Sequence, residues 1–299
     1  MFSALVCNGR LLPSDTPDAV VPWWSFTKTV LAATALSLVR DGLTTLDAPV
    51  AGWPFTLRQL LRHEAGLADY GELAAYHTAV AQGESAWPVA DMLQRLEGTR
   101  LRYAPGTQWG YSNVGYWRVG QVIEQLTGLA LEDAVSQRIL RPLGLSGVRW
   151  VRTRDDLHPH CLGVRASYDP AWVYHGLLIG PLSQAVLLLE RLLAGDLLPA
   201  RLREALQDAR HLGGPLPGRP WVTAGYGLGV MQGVIADGRS LCGHTGCGPD
   251  SVIAVYRVSE GTASACCAVF GVEVAEGAVE AEVVERLTMQ LRDSRHACP

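Results

Sequence analysis

The sequence predicts a mixed fold of the α+β type: one sheet built from both ends of the chain, flanked by helices, with a mostly helical lobe inserted between. Three observations predict it. Strand signals lie near the N-terminus and again from about residue 222; the middle of the chain repeats apolar residues at helical spacing; and the closing segment is an amphipathic helix. On this division residues 1–24 and about 165–299 form the sheet lobe and about 25–164 the helical lobe, all within one domain spanning 1–299.

The elements follow in order. FSALVC and RLLPS flank Asn8-Gly9, a two-residue hairpin signal. A long apolar helix is predicted from about Ser25 to Arg40, stopping near Asp41-Gly42. Segments 73–82, 89–97, 114–127 and 130–140 each carry apolar residues at helical spacing; Gly128 closes the third and Pro142 ends the fourth. The uncharged stretch 171–189 holds Gly176, Gly180 and Pro181, which suit a turn followed by a core helix better than a membrane span. TAGYGLGVMQG, RSLCGHTG, SVIAVYRV and SACCAVFGV read as strands, and 274–292 as the final helix.

Composition narrows the function classes. The chain has 299 residues, 48% of them hydrophobic and 18% charged, enough for a large core. A net charge of −4 without a basic run argues against nucleic acid and acidic membrane surfaces as partners. The N-terminus has no basic n-region and too short an apolar run for a signal sequence, so a cytoplasmic protein with seven reduced cysteines is expected if Met1 is the true start.

The chemistry starts from a compositional oddity. The chain uses 24 arginines and one lysine, Lys28, three residues after Ser25. Three positions apart on a helix, the two side chains share a face. A serine hydroxyl is a poor nucleophile until a base takes its proton. Arginine, with a pKa above about 12, cannot be that base, whereas a buried lysine can. The pair alone is a weak motif. Tyr111-Ser112-Asn113, in a turn-rich loop before a helix, and His244-Thr245-Gly246, on a strand, are also ordinary in isolation. Cys242, His244 and Cys247 could suggest a thiolate–imidazole metal site, but no second ligand pair accompanies them and no metal is expected. GYGLGVMQG (225–233) lacks the strand-then-helix context of a nucleotide loop.

Taken together and in chain order, Ser25-x-x-Lys28, Tyr111-x-Asn113 and His244-Thr245-Gly246 resemble the serine hydrolases of the class C β-lactamase and D,D-peptidase superfamily. LLRHEAGLADY (60–70), APGTQWGYSN (104–113) and YGLGV (226–230) are also similar to that family's connecting stretches. The resemblance implies a β-lactamase/transpeptidase-like fold whose sheet is antiparallel, shortened at the N-terminus because 24 residues precede Ser25. It implies that Ser25 is the acylated nucleophile, that Lys28 and Tyr111 share proton transfer, and that Asn113 and Thr245 meet the substrate. His244 would supply a hydrogen bond and positive field near Tyr111, and the backbone N–H groups of Ser25 and Cys247 an oxyanion hole worth about 3 kcal/mol per donor. Trp24 and Trp109, adjacent to these motifs, are candidate pocket walls.

The implied activity is hydrolysis of a small ester or amide without cofactor. The alternatives are a β-lactamase or D,D-carboxypeptidase, an acyltransferase with the same nucleophile, or a silent binding protein on this scaffold. Histidine at 244 replaces the lysine of true β-lactamases and disfavours lactams as substrates. Glu64-Ala65 and Pro249-Asp250 replace the family's usual Thr-Ser and Pro-Gly, changes expected to act on local turns.

Overall fold

The computed structural model describes residues 1–14, 16–157 and 161–296. Its main sheet has eight antiparallel strands, β1 (Phe2–Cys7), β2 (Arg10–Leu11) and β6–β11, in the order β2-β1-β11-β10-β9-β8-β7-β6. The last six are β6 (Arg210–Gly213), β7 (Thr223–Tyr226), β8 (Met231–Val234), β9 (Ser240–Cys247), β10 (Ser251–Glu260) and β11 (Ala263–Val272). The Asn8-Gly9 turn returns the chain from β1 to β2, and β1 pairs along β11 from Phe2↔Phe270 to Cys7↔Ala265. The first hairpin thus completes a sheet whose six other strands lie about 200 residues or more further along the chain, as the pattern at the two ends predicts.

Strands β10 and β11 are buried nearly throughout because helices cover both faces. On one face lies the closing helix α10 (Glu276–His296), whose Val279, Val283, Leu287 and Leu291 pack on Val252, Ala254, Val269 and neighbours. On the other lie α8 (Leu182–Ala194) and α1 (Thr27–Arg40). Helix α1 is buried around its full circumference from Thr27 to Leu38. Of its buried hydroxyls, Thr34 donates to Val30 O at 2.8 Å and Ser37 to Thr34 O at 2.6 Å within the helix, while Thr29 donates to Gly229 O at 2.7 Å outside it.

Between α1 and α8 the chain forms α2 (Leu57–Leu61), α3 (Ala74–Ala81), α4 (Val89–Arg95), α5 (Asn113–Thr127), α6 (Leu131–Val135) and the one-turn α7 (Arg154–Leu157). Helix α9 (Ala200–Gln207) follows α8 and leads into β6. Three sequence expectations need correction. The helix expected from Ser25 begins as a 3₁₀ turn, Trp24–Phe26, and becomes α-helical at Thr27. The segment 130–140 is α6 followed by a π turn, Ser136–Leu140. The stretch 171–189 is not simply turn and helix: LLIGP forms a buried strand, β5 (Leu177–Pro181), before α8. A short apolar run has no periodicity to distinguish strand from helix, so pairing decides. Strand β5 sits between β3 (Val20–Pro22) and β4 (Arg149–Val151) in a separate three-stranded sheet. That small sheet anchors the turn that carries Ser25, because Trp23 N donates to Leu178 O at 2.8 Å and Leu178 N to Thr27 Oγ1 at 3.3 Å.

Candidate active site

The 3₁₀ turn at the head of α1 brings Ser25 into a small cavity of about 90 Å³ that Trp24, Asn113, Tyr168, His175 and Cys247 also line. Trp24 holds a φ of 41°, a conformation that costs a bulky residue roughly 1–3 kcal/mol and must be held by its surroundings. The holding contacts are visible: its indole Nε1 donates to Ser251 Oγ at 3.0 Å, and its ring lies directly over Gly248. Strand β9 approaches the same turn. A Cβ on Gly246 would stand 2.7 Å from Ser25 N and 2.7 Å from Trp23 O, so only glycine lets the strand pass this close.

Ser25 Oγ is the meeting point of two side chains. Lys28 Nζ lies 3.0 Å from it, and Tyr111 donates its hydroxyl to it at 3.0 Å. Lys28 has no exposed surface. Burial lowers its pKa from 10.5 to about 7, with the Asp69 charge acting in the opposite direction. Burial also pushes the Tyr111 phenol well above 10, so Tyr111 keeps its proton at neutral pH and serves Ser25 as a donor. Of the two candidate proton carriers, Lys28 is the one whose neutral form is populated near pH 7.

Tyr111 and Asn113 are placed by the start of α5. Ser112 caps that helix, its Oγ accepting from Gly115 N at 2.9 Å and donating to Ala68 O at 2.8 Å. Ser112 N donates to His63 Nδ1 at 3.1 Å. The His63 ring packs 4.4 Å from Tyr111, 5.0 Å from Tyr116 and 4.7 Å from Tyr226, centroid to centroid. Burial holds His63 well below 6.5, so it stays a neutral acceptor. Asn113 faces the cavity, but its Nδ2 and its backbone N both donate to Asp69 Oδ1, at 2.9 and 3.0 Å.

The other expected residues are placed differently. His244 is fully buried; its Nδ1–H donates to Thr245 O at 2.8 Å, and its Nε2 accepts from Tyr226 OH at 3.0 Å. Burial lowers its pKa to about 3, so the expected positive field beside Tyr111 is replaced by a neutral ring that reaches Tyr111 through Tyr226. Thr245 points to the opposite face of the sheet, where Oγ1 donates to Glu280 and meets Tyr256 OH at 2.9 Å; its side chain does not meet the cavity. Trp24 lines the cavity, whereas Trp109 packs behind it, 6.0 Å from the rings of both His63 and Tyr226. Strand parity sets Cys247 on the face opposite Cys242 and His244, and burial raises Cys242 to about 12 and Cys247 to about 11. That stretch therefore offers no convergent thiolate pair.

The two departures from the family pattern are each tied down by an arginine. Glu64 accepts from Arg210 Nη1 at 2.9 Å, and Asp250 is gripped by the Arg165 guanidinium. Sequence reasoning missed three neighbours of the nucleophile. Asp69 and His63 sit in the 60–70 stretch that was read as connecting sequence. His175, 3.1 Å from Lys28 Nζ through Nε2, carries no motif at all.

The chain is similar to known proteins over most of its length. The family model described as Beta-lactamase matches residues 13–266. Esterase EstB of Burkholderia gladioli is 26% identical over 77% of this chain and 69% of its own length. Lovastatin esterase of Penicillium rubens is 27% identical over 54% of this chain, which spans 47% of that relative. Among solved structures, D-amino acid amidase from Ochrobactrum anthropi SV3 superposes with a TM-score of 0.77 at 22% identity, covering 98% of this chain and 93% of the amidase.

Proposed function

The chain belongs to the beta-lactamase family, and on that premise we propose that it is a hydrolase that forms an acyl-enzyme on Ser25 and cleaves a small ester or amide. The observation that carries the reading is the convergence of Lys28 Nζ and Tyr111 OH on Ser25 Oγ, each at 3.0 Å. Neutral Lys28 takes the Ser25 proton while Oγ bonds to the substrate carbonyl carbon. The resulting oxyanion is received by the backbone N–H groups of Ser25 and Cys247, two residues that line one cavity. As the carbonyl re-forms, the bond to the leaving group breaks, and that group takes up the proton carried by Lys28, with Tyr111 hydrogen-bonded to Oγ throughout. Water then repeats the sequence on the acyl-enzyme and restores the serine hydroxyl. Asn113 holds the substrate's carbonyl side through whichever amide hydrogen Asp69 leaves open.

Esters and amides rank above lactams in this reading. The motif histidine is neutral and turned toward Tyr226, so no cation from that strand faces the carboxylate that penicillins and cephalosporins carry. The test is kcat/KM for p-nitrophenyl acetate and butyrate, D- and L-phenylalanine amide, and nitrocefin. The expected order places an ester or amide first and the lactam last, with Ser25→Ala inactive on all. Clear preference for the lactam would reverse the ranking in favour of a β-lactamase.

A further inference from the structure

Lys28 has a second partner, which the proposed chemistry has not used. His175 Nε2 lies 3.1 Å from Lys28 Nζ, which itself lies 3.0 Å from Ser25 Oγ. The ring is 3% exposed. Its position is built rather than incidental. It lies within the turn in which Gly176 N donates to Val173 O at 2.7 Å, two residues before the start of β5. A Cβ at Gly176 would overlap the Trp150 ring at 1.8 Å, so no other residue holds the turn there. Strand β5 is in turn bonded to the nucleophile turn through Leu178. One short stretch of backbone thus sets the distance between His175 and Lys28.

We propose that His175 is the positioning residue of the base: its Nε2 accepts one N–H of neutral Lys28 and so aims the remaining lone pair of Nζ at the Ser25 proton. The inference rests on the reading of Lys28 as base to Ser25. A neutral amine at hydrogen-bond distance from Ser25 can turn about its Cε–Nζ bond, and a second partner that accepts one of its N–H groups selects the productive rotamer. Once Nζ takes the proton, the same contact becomes a charge-assisted bond and stabilises the ammonium. Accepting at Nε2 places the imidazole proton on Nδ1, which is buried and has no hydrogen-bond partner among the described residues. The groups facing this pair are Asp69, which raises the Lys28 pKa, the neutral His63 and His244, and the rings of Tyr111 and Tyr116, 5.1 and 5.8 Å from Nζ. Burial holds His175 well below 6.5, so it remains an acceptor rather than a competing base.

The sequence makes the test unusually direct, because Lys28 is the sole lysine. Protein grown on ¹³Cε-lysine gives one side-chain signal, and its pH titration reads Lys28 without turnover. Three proteins are compared: unsubstituted, His175→Phe, which lacks the acceptor, and His175→Gln, whose amide oxygen can replace it. Should the Phe variant not fold, His175→Leu supplies the same comparison. Removing an acceptor disfavours the ammonium, so the midpoint is expected to fall by roughly one pH unit in the Phe variant and to return most of the way in the Gln variant. The acid limb of kcat/KM should move with it, and the plateau should fall about tenfold or more. A midpoint and limb that stay in place or rise in the Phe variant overturn the positioning role, even if activity is lost. A shifted midpoint in a protein that neither turns over esters nor acylates at Ser25 overturns the hydrolase reading, and the positioning role with it. Labelled, active protein with an unmoved midpoint overturns His175 alone.

Discussion

At the scale of single residues, the site is organised by the complete burial of Lys28. A lysine pKa lowered from 10.5 to about 7 means that folding buries an ammonium at some cost whenever the pH is below that value. The sign follows from linkage. The folded pKa lies below the unfolded one, so the destabilisation is complete below about pH 7 and is lost as pH rises toward 10.5. Lys28→Met removes the titrating group and keeps the volume. Its Tm relative to the unsubstituted protein should therefore be most favourable near pH 7 and decline by pH 10; a difference independent of pH would show that Lys28 is not burdened by burial. Lys28→Arg keeps a charge that cannot be given up, and ester hydrolysis should fall by ~10² or more, as for loss of a general base. Near-normal turnover in that variant would remove Lys28 from the proton-transfer step. The lone lysine was legible in the sequence for this reason: arginine serves elsewhere in the chain, but not where a proton must leave.

At the scale of elements, the nucleophile turn, the head of α5 and strand β9 converge because each is pinned by a buried polar contact. His63 is the clearest pin. It accepts from Ser112 N at 3.1 Å and fills the space beneath Tyr111. His63→Ala leaves a buried N–H unsatisfied and a cavity under the tyrosine, and should cost about 2–4 kcal/mol of stability. It should also lower kcat more than it raises KM, since Tyr111 touches the reacting oxygen. Steady-state kinetics together with a thermal melt check this; an unchanged kcat in folded protein would show that the Tyr111 loop is held by other contacts. Strand β5 and the turn before it were not legible. LLIGP has no period, and its strand character comes from pairing with β3 and β4, which are distant in sequence. His175 was hidden for the same reason, since its role comes from that pairing and not from any local spacing.

At the scale of the whole molecule, the eight-stranded sheet holds two arrangements apart. The face toward α1 carries His244, bonded to Tyr226, and Gly246, set against the turn that holds Ser25, and the face toward α10 carries Thr245, bonded to Glu280. The period-two alternation of strands explains why the ordered His-Thr-Gly motif was readable while the direction of each side chain was not. Both ends of the chain read correctly as parts of one sheet because hairpin chemistry at Asn8-Gly9 and the β-branched run in β10 are strong local signals. Among the described residues no helix is long and apolar enough to cross a membrane. The central claim is that this scaffold presents Ser25, and no other serine, as an activated nucleophile. The most direct measurement is intact-mass spectrometry of the protein after exposure to a fluorophosphonate, followed by peptide mapping. The account predicts one adduct per chain, on the peptide containing Ser25, rising in rate through about pH 7 as Lys28 loses its proton and absent from Ser25→Ala. Folded protein that takes no label, or that carries it on a different serine, would contradict it.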